Sequence, residues 1–310
     1  MKTQTQIPTA NRASGDTEAG STLAGPTTLA RTADALPPHV WFCVSAVFHY
    51  LGPAFAVLLF AQVGVLGMAW LRIATAALIF APLTMPWRVF AHADRGRRRL
   101  LLAFGACLAV MNCSFYLALD RLPISLVAAI EFVGTIAVAL VGLRSRRNFA
   151  ALAVAVVGTL LLIDVKWSSD PIGLFWAFLN GALFVGYIVI GHRVAQAGFG
   201  IAGLGAAMAV AFLIVLPIGF REALPAFSSP QLLAAAIGVG VCSSVIPYIC
   251  DQLAMARLPR ASFALMLSLL PLTATLIGVI VLRQVPSVTD CLGVTLVIAG
   301  VAMHKPAANT

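Results

Sequence analysis

Arg121-Leu122-Pro123 and Arg257-Leu258-Pro259 are one tripeptide written twice, 136 positions apart. Each follows a long apolar stretch and stands before another, and the flanking runs share positions of Ala, Leu and Gly. The chain therefore holds an internal repeat. Working outward, apolar windows fall near 40–60, 65–84, 100–119, 124–143, 149–164, 172–191, 201–220, 231–250, 262–282 and 288–303. Each is as long, or nearly as long, as the roughly 20 helical residues that cross a hydrocarbon core. Five windows lie in a first copy, residues 39–165, and five in a second, residues 170–304. Five is odd, so the second copy enters the membrane with the opposite orientation to the first. The expected fold is all-α and integral to a membrane: ten transmembrane helices as two inverted five-helix repeats. In that arrangement two similar halves rock about a shared central site. The fifth and tenth windows are the short ones and occupy matching places, which agrees with the repeat.

Composition argues the same way. Of 310 residues, 61% are hydrophobic and 10% charged, against about 45–50% and 25% in ordinary soluble domains. A soluble core of this size would lack polar residues to cover it. The net charge of +9 and the run Arg95-Gly96-Arg97-Arg98-Arg99 invite a nucleic-acid reading, but topology explains them better and no nucleic-acid partner is expected. With the N-terminus in the cytoplasm, fifteen lysines and arginines fall on that side, and only Arg121, Lys166, Arg221 and Arg283 on the other. That asymmetry places both termini in the cytoplasm by the positive-inside rule. Residues 1–38 are rich in Thr, Ser, Gly, Pro and Ala without apolar periodicity, and read as a disordered cytoplasmic tail. No cleavable signal peptide is visible, so the first window serves as an uncleaved anchor. The six cysteines, Cys43, Cys107, Cys113, Cys242, Cys250 and Cys291, lie within or at the ends of the windows. They read as small packing residues, with neither disulfides nor a metal, and no cofactor is expected.

Charge deep in the windows is scarce. Arg72 in the second and Glu131 in the fourth each sit about seven positions from the outer boundary, roughly 10 Å deep at the helical rise. Asn112 in the third window shares that layer. Charges there cost several kcal/mol unless they face protein or water, so both side chains are expected inward, within reach of each other or of one cavity. Helical spacing adds Gly105, Ala109, Asn112 and Tyr116 as one stripe, and Ala128, Glu131, Thr135 and Gly142 as another. Further stripes are Trp176, Asn180 and Tyr187 with Phe184 nearby; Gly240, Ser244, Tyr248 and Asp251; and Ser45, His49 and Gly52. Pro247 and Pro271 interrupt the backbone ladder, which is tolerated where protein or a cavity satisfies the freed carbonyls. Pro271 aligns with Thr135 by the same 136-residue offset.

Several of these elements carry a family likeness. Met111 to Leu119, the turn at Pro123, Glu131-Phe132-Val133-Gly134 with Ala137 to Leu140, Pro247-Tyr248, Arg257-Leu258-Pro259 and Trp70-Leu71-Arg72 with Pro86-Trp87 resemble the drug/metabolite transporter superfamily. The likeness is to its EamA-domain type, and within that to the Rht-type threonine/homoserine exporter branch, over about residues 38–304. This chain has Thr135 where that branch tends to have Pro, Leu270 where it has Glu before Pro, and Arg283-Gln284 where an acidic residue stands. A second intramembrane carboxylate is thus read as missing.

The resemblance implies a secondary transporter that exports small neutral amino acids or related metabolites by alternating access, coupled to protons. Its partners would be a small-molecule substrate, protons and the lipid bilayer. Arg72 suits a carboxylate and Glu131 an ammonium. Asn112, Tyr116, Trp176, Asn180, Tyr187 and Tyr248 complete the expected substrate site, and Glu131 with His49 the proton-coupling pair. Efflux of drugs or cationic metabolites is the rival, favoured by an aromatic cavity around one acid. An intramembrane enzyme is disfavoured, since neither paired aspartates nor a His-Glu-x-x-His element lies in the windows, which leaves a Ser–His pair through His49 as the one enzymatic arrangement open from sequence.

Overall fold

The computed structural model describes residues 37–142, 145–167, 170–258, 263 and 270–303, excepting the side chains of 39, 135–142, 159, 162–167, 301 and 302. Among these residues every element is helical: α1 Pro38–Val63, α2 Val65–Thr84, α3 Pro86–His92, α4 Arg95–Leu119, α5 Ile124–Gly142, α6 Arg146–Trp167, α7 Pro171–Gln196, α8 Gly200–Phe227, α9 Pro230–Gly240, α10 Ile246–Arg257, α11 Leu270–Leu282 and α12 Val288–Met303. A π-helical turn, Val241–Val245, joins α9 to α10. The pair makes one 28-residue span, Pro230–Arg257. Among the described residues, that span and α1, α2, α4, α7 and α8 are the six segments long and apolar enough to cross a membrane; α5, α11 and α12 carry shorter apolar stretches.

The fifth expected span is longer than its apolar window, since α6 has 22 residues. The tail to residue 36, the first part of the ninth window and the side chains of Thr135 and of helix positions up to 142 lie outside the described residues.

Helix ends are set by local chemistry. Asp94 accepts from the Arg97 N–H at 2.8 Å and Asp170 from the Gly173 N–H at 2.8 Å, N-capping α4 and α7. Between α1 and α2 the chain reverses at one residue, Gly64, whose φ of 79° is open to glycine at low cost. The first free N–H groups of α2, on Leu66 and Gly67, donate to the Glu222 carboxylate of α8. This charge at a helix start suits the macrodipole and locks α2 to α8.

α2 packs on α8, α4 on α7 and α8, α1 on α9 and α10, α5 on α7, and α11 on α1 and α5. One continuous core results, running from Phe42 through Tyr116 and Tyr187 to Phe263. α6 and α12 pack on each other beside it, with Phe132, Ala155 and Val297 forming a small separate core. The outward faces carry Leu58, Leu78, Leu160, Phe175, Leu213 and Ile280 exposed, the surface a bilayer covers.

Candidate functional site

Pro247 organises the centre. A proline inside a helix has no N–H and displaces the carbonyl four residues back, here that of Ser243. The chain answers with the π turn just before Pro247, and the Ser243 carbonyl turns to accept from Arg72 Nη2 of α2 at 2.7 Å. Arg72 Nε donates to Ser244 Oγ at 2.7 Å, and Nη2 also approaches the Tyr248 hydroxyl at 3.4 Å. Gly52 on α1 makes this possible: its missing side chain leaves α1 against the Ser243 backbone, where a Cβ would collide. The guanidinium lies among the rings of Phe115, Tyr116 and Tyr248, 5.9, 5.3 and 5.9 Å from their centroids. Such contacts are worth about 2 kcal/mol when desolvated and help hold a 2% exposed arginine that makes no salt bridge among the described residues.

Glu131 of α5 is buried to the same degree. One carboxylate oxygen accepts from the Tyr50 hydroxyl of α1 at 2.6 Å and the other from Asn180 Nδ2 of α7 at 2.6 Å. Among the described residues Arg72 and Glu131 make no ion pair with each other. They meet instead across a cavity of about 10 Å³ lined by His49, Arg72, Met111, Asn112, Phe115, Glu131, Asn180, Phe184 and Tyr248. That is room for one water at most, so this is a closed form of the site. Asn112 Nδ2 donates to the Leu108 carbonyl at 2.6 Å and to the Tyr248 hydroxyl at 3.2 Å. The His49 ring stands edge-on to Tyr50 and Phe184, with centroids 5.2 and 5.6 Å away.

Three buried polar atoms here have no hydrogen-bond partner among the described residues: Arg72 Nη1, the Tyr116 hydroxyl oxygen and Asn180 Oδ1. Asn180 is oriented by Glu131, which accepts only, so its amide nitrogen points to the carboxylate and its oxygen is left over. A donor on Arg72 and an acceptor on Asn180 without partners among the described residues thus belong to two residues that line one cavity.

Of the residues expected from sequence, the structure brings Arg72, Asn112, Tyr116, Glu131, Asn180 and Tyr248 together, with His49 on the same cavity. Tyr187 lies one contact further, between the Phe104 and Phe184 rings at 5.8 and 5.7 Å. Trp176 is not on the cavity: one turn before Asn180, it is half-buried with its ring against Phe175. Tyr50, absent from every stripe, is a direct partner of Glu131. The expectation that no second carboxylate lies in the membrane is wrong. Asp251 is 1% exposed because the helix continues to Arg257, beyond the window that ended at residue 250. It accepts from Ser45 Oγ at 2.5 Å and from the Tyr187 hydroxyl at 2.8 Å.

Comparison with known proteins bears on this arrangement. The profile described as EamA-like transporter family matches residues 171–304. The threonine/homoserine exporters RhtA of Salmonella typhimurium strain LT2 and of Escherichia coli strain K12 are each 32% identical over 251 residues, covering 80% of this chain and 84% of theirs. A protein of known crystal structure superposes with a TM-score of 0.59 at 16% identity, over 85% of this chain and 95% of its own, a likeness of fold alone.

Proposed function

This chain belongs to the EamA-like transporter family of the drug/metabolite transporter superfamily, among the relatives of the Rht exporters, and we propose that it exports small neutral amino acids such as threonine or homoserine across the bacterial inner membrane. The proposal includes proton coupling and alternating access between two inverted five-helix repeats, residues 39–165 and 170–304, behind a cytoplasmic tail of 1–38. A family of multi-pass transporters supplies the setting. The site supplies the chemistry.

One observation carries the substrate class: Arg72 Nη1 and Asn180 Oδ1 are unpartnered on the cavity that also holds Glu131. A zwitterion satisfies both. Its carboxylate takes Arg72 Nη1 and the Tyr116 hydroxyl in charge-assisted bonds; its ammonium takes Asn180 Oδ1 and Glu131. Glu131, the carboxylate on this cavity, serves both ammonium and proton, and exchange of one for the other is the coupling step, with His49 beside it as the second candidate carrier.

The repeat reading is supported by the packing. If each helix of the first copy is matched with its counterpart in the second, α4 on α7 corresponds to α10 on α1, α5 on α7 to α11 on α1, and α4 on α8 to α9 on α2. α2 with α8, α5 with α11, and α6 with α12 pair counterparts with each other. The Asn112–Tyr248 hydrogen bond joins positions 136 apart, the offset of the two Arg-Leu-Pro turns. The charge asymmetry orients the whole, with the Arg95–Arg99 run in the cytoplasm.

Counterflow in proteoliposomes tests the substrate class. Vesicles preloaded with unlabelled threonine are expected to take up labelled threonine and homoserine above empty vesicles, and to ignore tetraphenylphosphonium. Uptake of the organic cation without the amino acids would instead make the rival efflux reading the better one.

A further inference from the structure

Asp251 stands apart from the cavity and has no role in binding there. It lies on α10 six residues before the end of that helix at Arg257, toward the end of the molecule opposite Glu131, which is seven residues from the start of α5 at Ile124. Among the described residues its carboxylate oxygens accept from two hydroxyls, Ser45 of α1 and Tyr187 of α7. Ser45 Oγ also contacts the Pro247 carbonyl at 3.3 Å, so α1 is tied to α10 at the helix break itself. Neither of its two bonding partners is a cation. An ionisable side chain in a span without a counter-ion is a functional candidate by default.

Resting on the transport reading above, we propose that Asp251 is a second proton site, on the cytoplasmic side, and that its bonds to Ser45 and Tyr187 are the tie that closes that end. In its ionised form the carboxylate accepts from both hydroxyls, which lie within hydrogen-bond distance, in charge-assisted bonds. A proton arriving from the outer side occupies one oxygen, turns an acceptor into a donor and weakens the tie. α1 and α10 separate, the proton leaves to cytoplasmic water, and substrate reaches the cavity by the same opening. The ionised carboxylate then recaptures Ser45 and Tyr187. Other titratable groups near Asp251 include Tyr248 and Cys250 on its own helix, which ends at Arg257, and on α7, beyond Tyr187, the buried His192 with Arg193 after it. α1 offers His49, one turn beyond Ser45, and α8 has no ionisable residue before Arg221.

Asp251→Asn keeps the volume and an acceptor for Ser45 but cannot ionise. In proteoliposomes its threonine counterflow, which needs no net proton movement, is expected to stay within about threefold of wild type. Accumulation driven by a pH gradient is expected to fall from about tenfold per pH unit for one-to-one exchange to no accumulation. Accumulation equal to wild type overturns the proposal. If Asp251→Asn does not insert, Ser45→Ala decides: it loosens the tie but keeps the carboxylate, and should show normal counterflow with a lower accumulation ratio. A wild-type ratio in Ser45→Ala overturns the tie. Wild-type vesicles run in parallel separate the two readings, because absence of wild-type counterflow refutes threonine transport itself.

Discussion

Glu131→Gln is expected to insert and purify normally and to lose gradient-driven export altogether. Gln retains the volume and one oxygen able to accept from Tyr50 or Asn180, while the other buried donor is left weakly bonded, a cost of about 1 kcal/mol. That is too little to unfold the chain and shows as a small drop in thermal stability. The functional loss is of another order. With Glu131 gone, the cavity lining keeps no carboxylate, ammonium and proton no longer exchange there, and threonine accumulation falls from about tenfold per pH unit to unity. Glu131→Asp should recover part of it, since a shorter acid still exchanges a proton. Accumulation at wild-type level in a well-inserted Gln variant would remove Glu131 from the coupling step.

Arg72→Lys is expected to raise the KM for threonine by about 10–100-fold, because the charge-assisted bond it removes is worth roughly 1.5–3 kcal/mol. Lysine keeps the positive charge but has one nitrogen. It cannot serve Ser244 Oγ, the Ser243 carbonyl and a substrate carboxylate at once, as the planar fork does. The Ser243 carbonyl, freed by Pro247, then loses a partner, and the α9–α10 junction is expected to be destabilised by about 1–3 kcal/mol. Kinetics and melting separate the two roles: substrate binding appears in KM, the backbone role in thermal stability. A normal KM with lowered stability would confine Arg72 to the structure of the break.

The two buried charges of the cavity were legible in the sequence because charge is rare in these apolar windows and depth follows from helical rise. Their relation was not. Equal depth on α2 and α5 pointed to mutual reach or a shared cavity, and they share a cavity, but the proline break on a third span supplies Arg72 with a carbonyl and a serine, and Tyr50 and Asn180 supply Glu131. Those partners come from other helices, and a stripe read along one helix is blind to them. Tyr50 follows His49 directly and faces α5 rather than the stripe of Ser45, His49 and Gly52, so only its need for a hydroxyl partner in an apolar span could have marked it. Asp251 was on a recognised stripe with Ser244 and Tyr248, but hydropathy ended the window at residue 250. The helix continues with Asp251 buried and held by hydroxyls of two neighbouring helices, a satisfaction that hydropathy does not register. Trp176 shared the spacing of Asn180 and Tyr187, and a turn of helix was enough to leave it outside the cavity.

The central claim is that a zwitterion and a proton exchange through this cavity. Vesicles containing wild-type protein and a trapped pH-sensitive dye, given a threonine gradient with no initial pH difference, measure it directly. Threonine moving down its gradient is expected to drive protons the opposite way and to change the internal pH, and Glu131→Gln vesicles are expected to show no such change. Threonine movement with no accompanying pH change in wild-type vesicles would contradict the account.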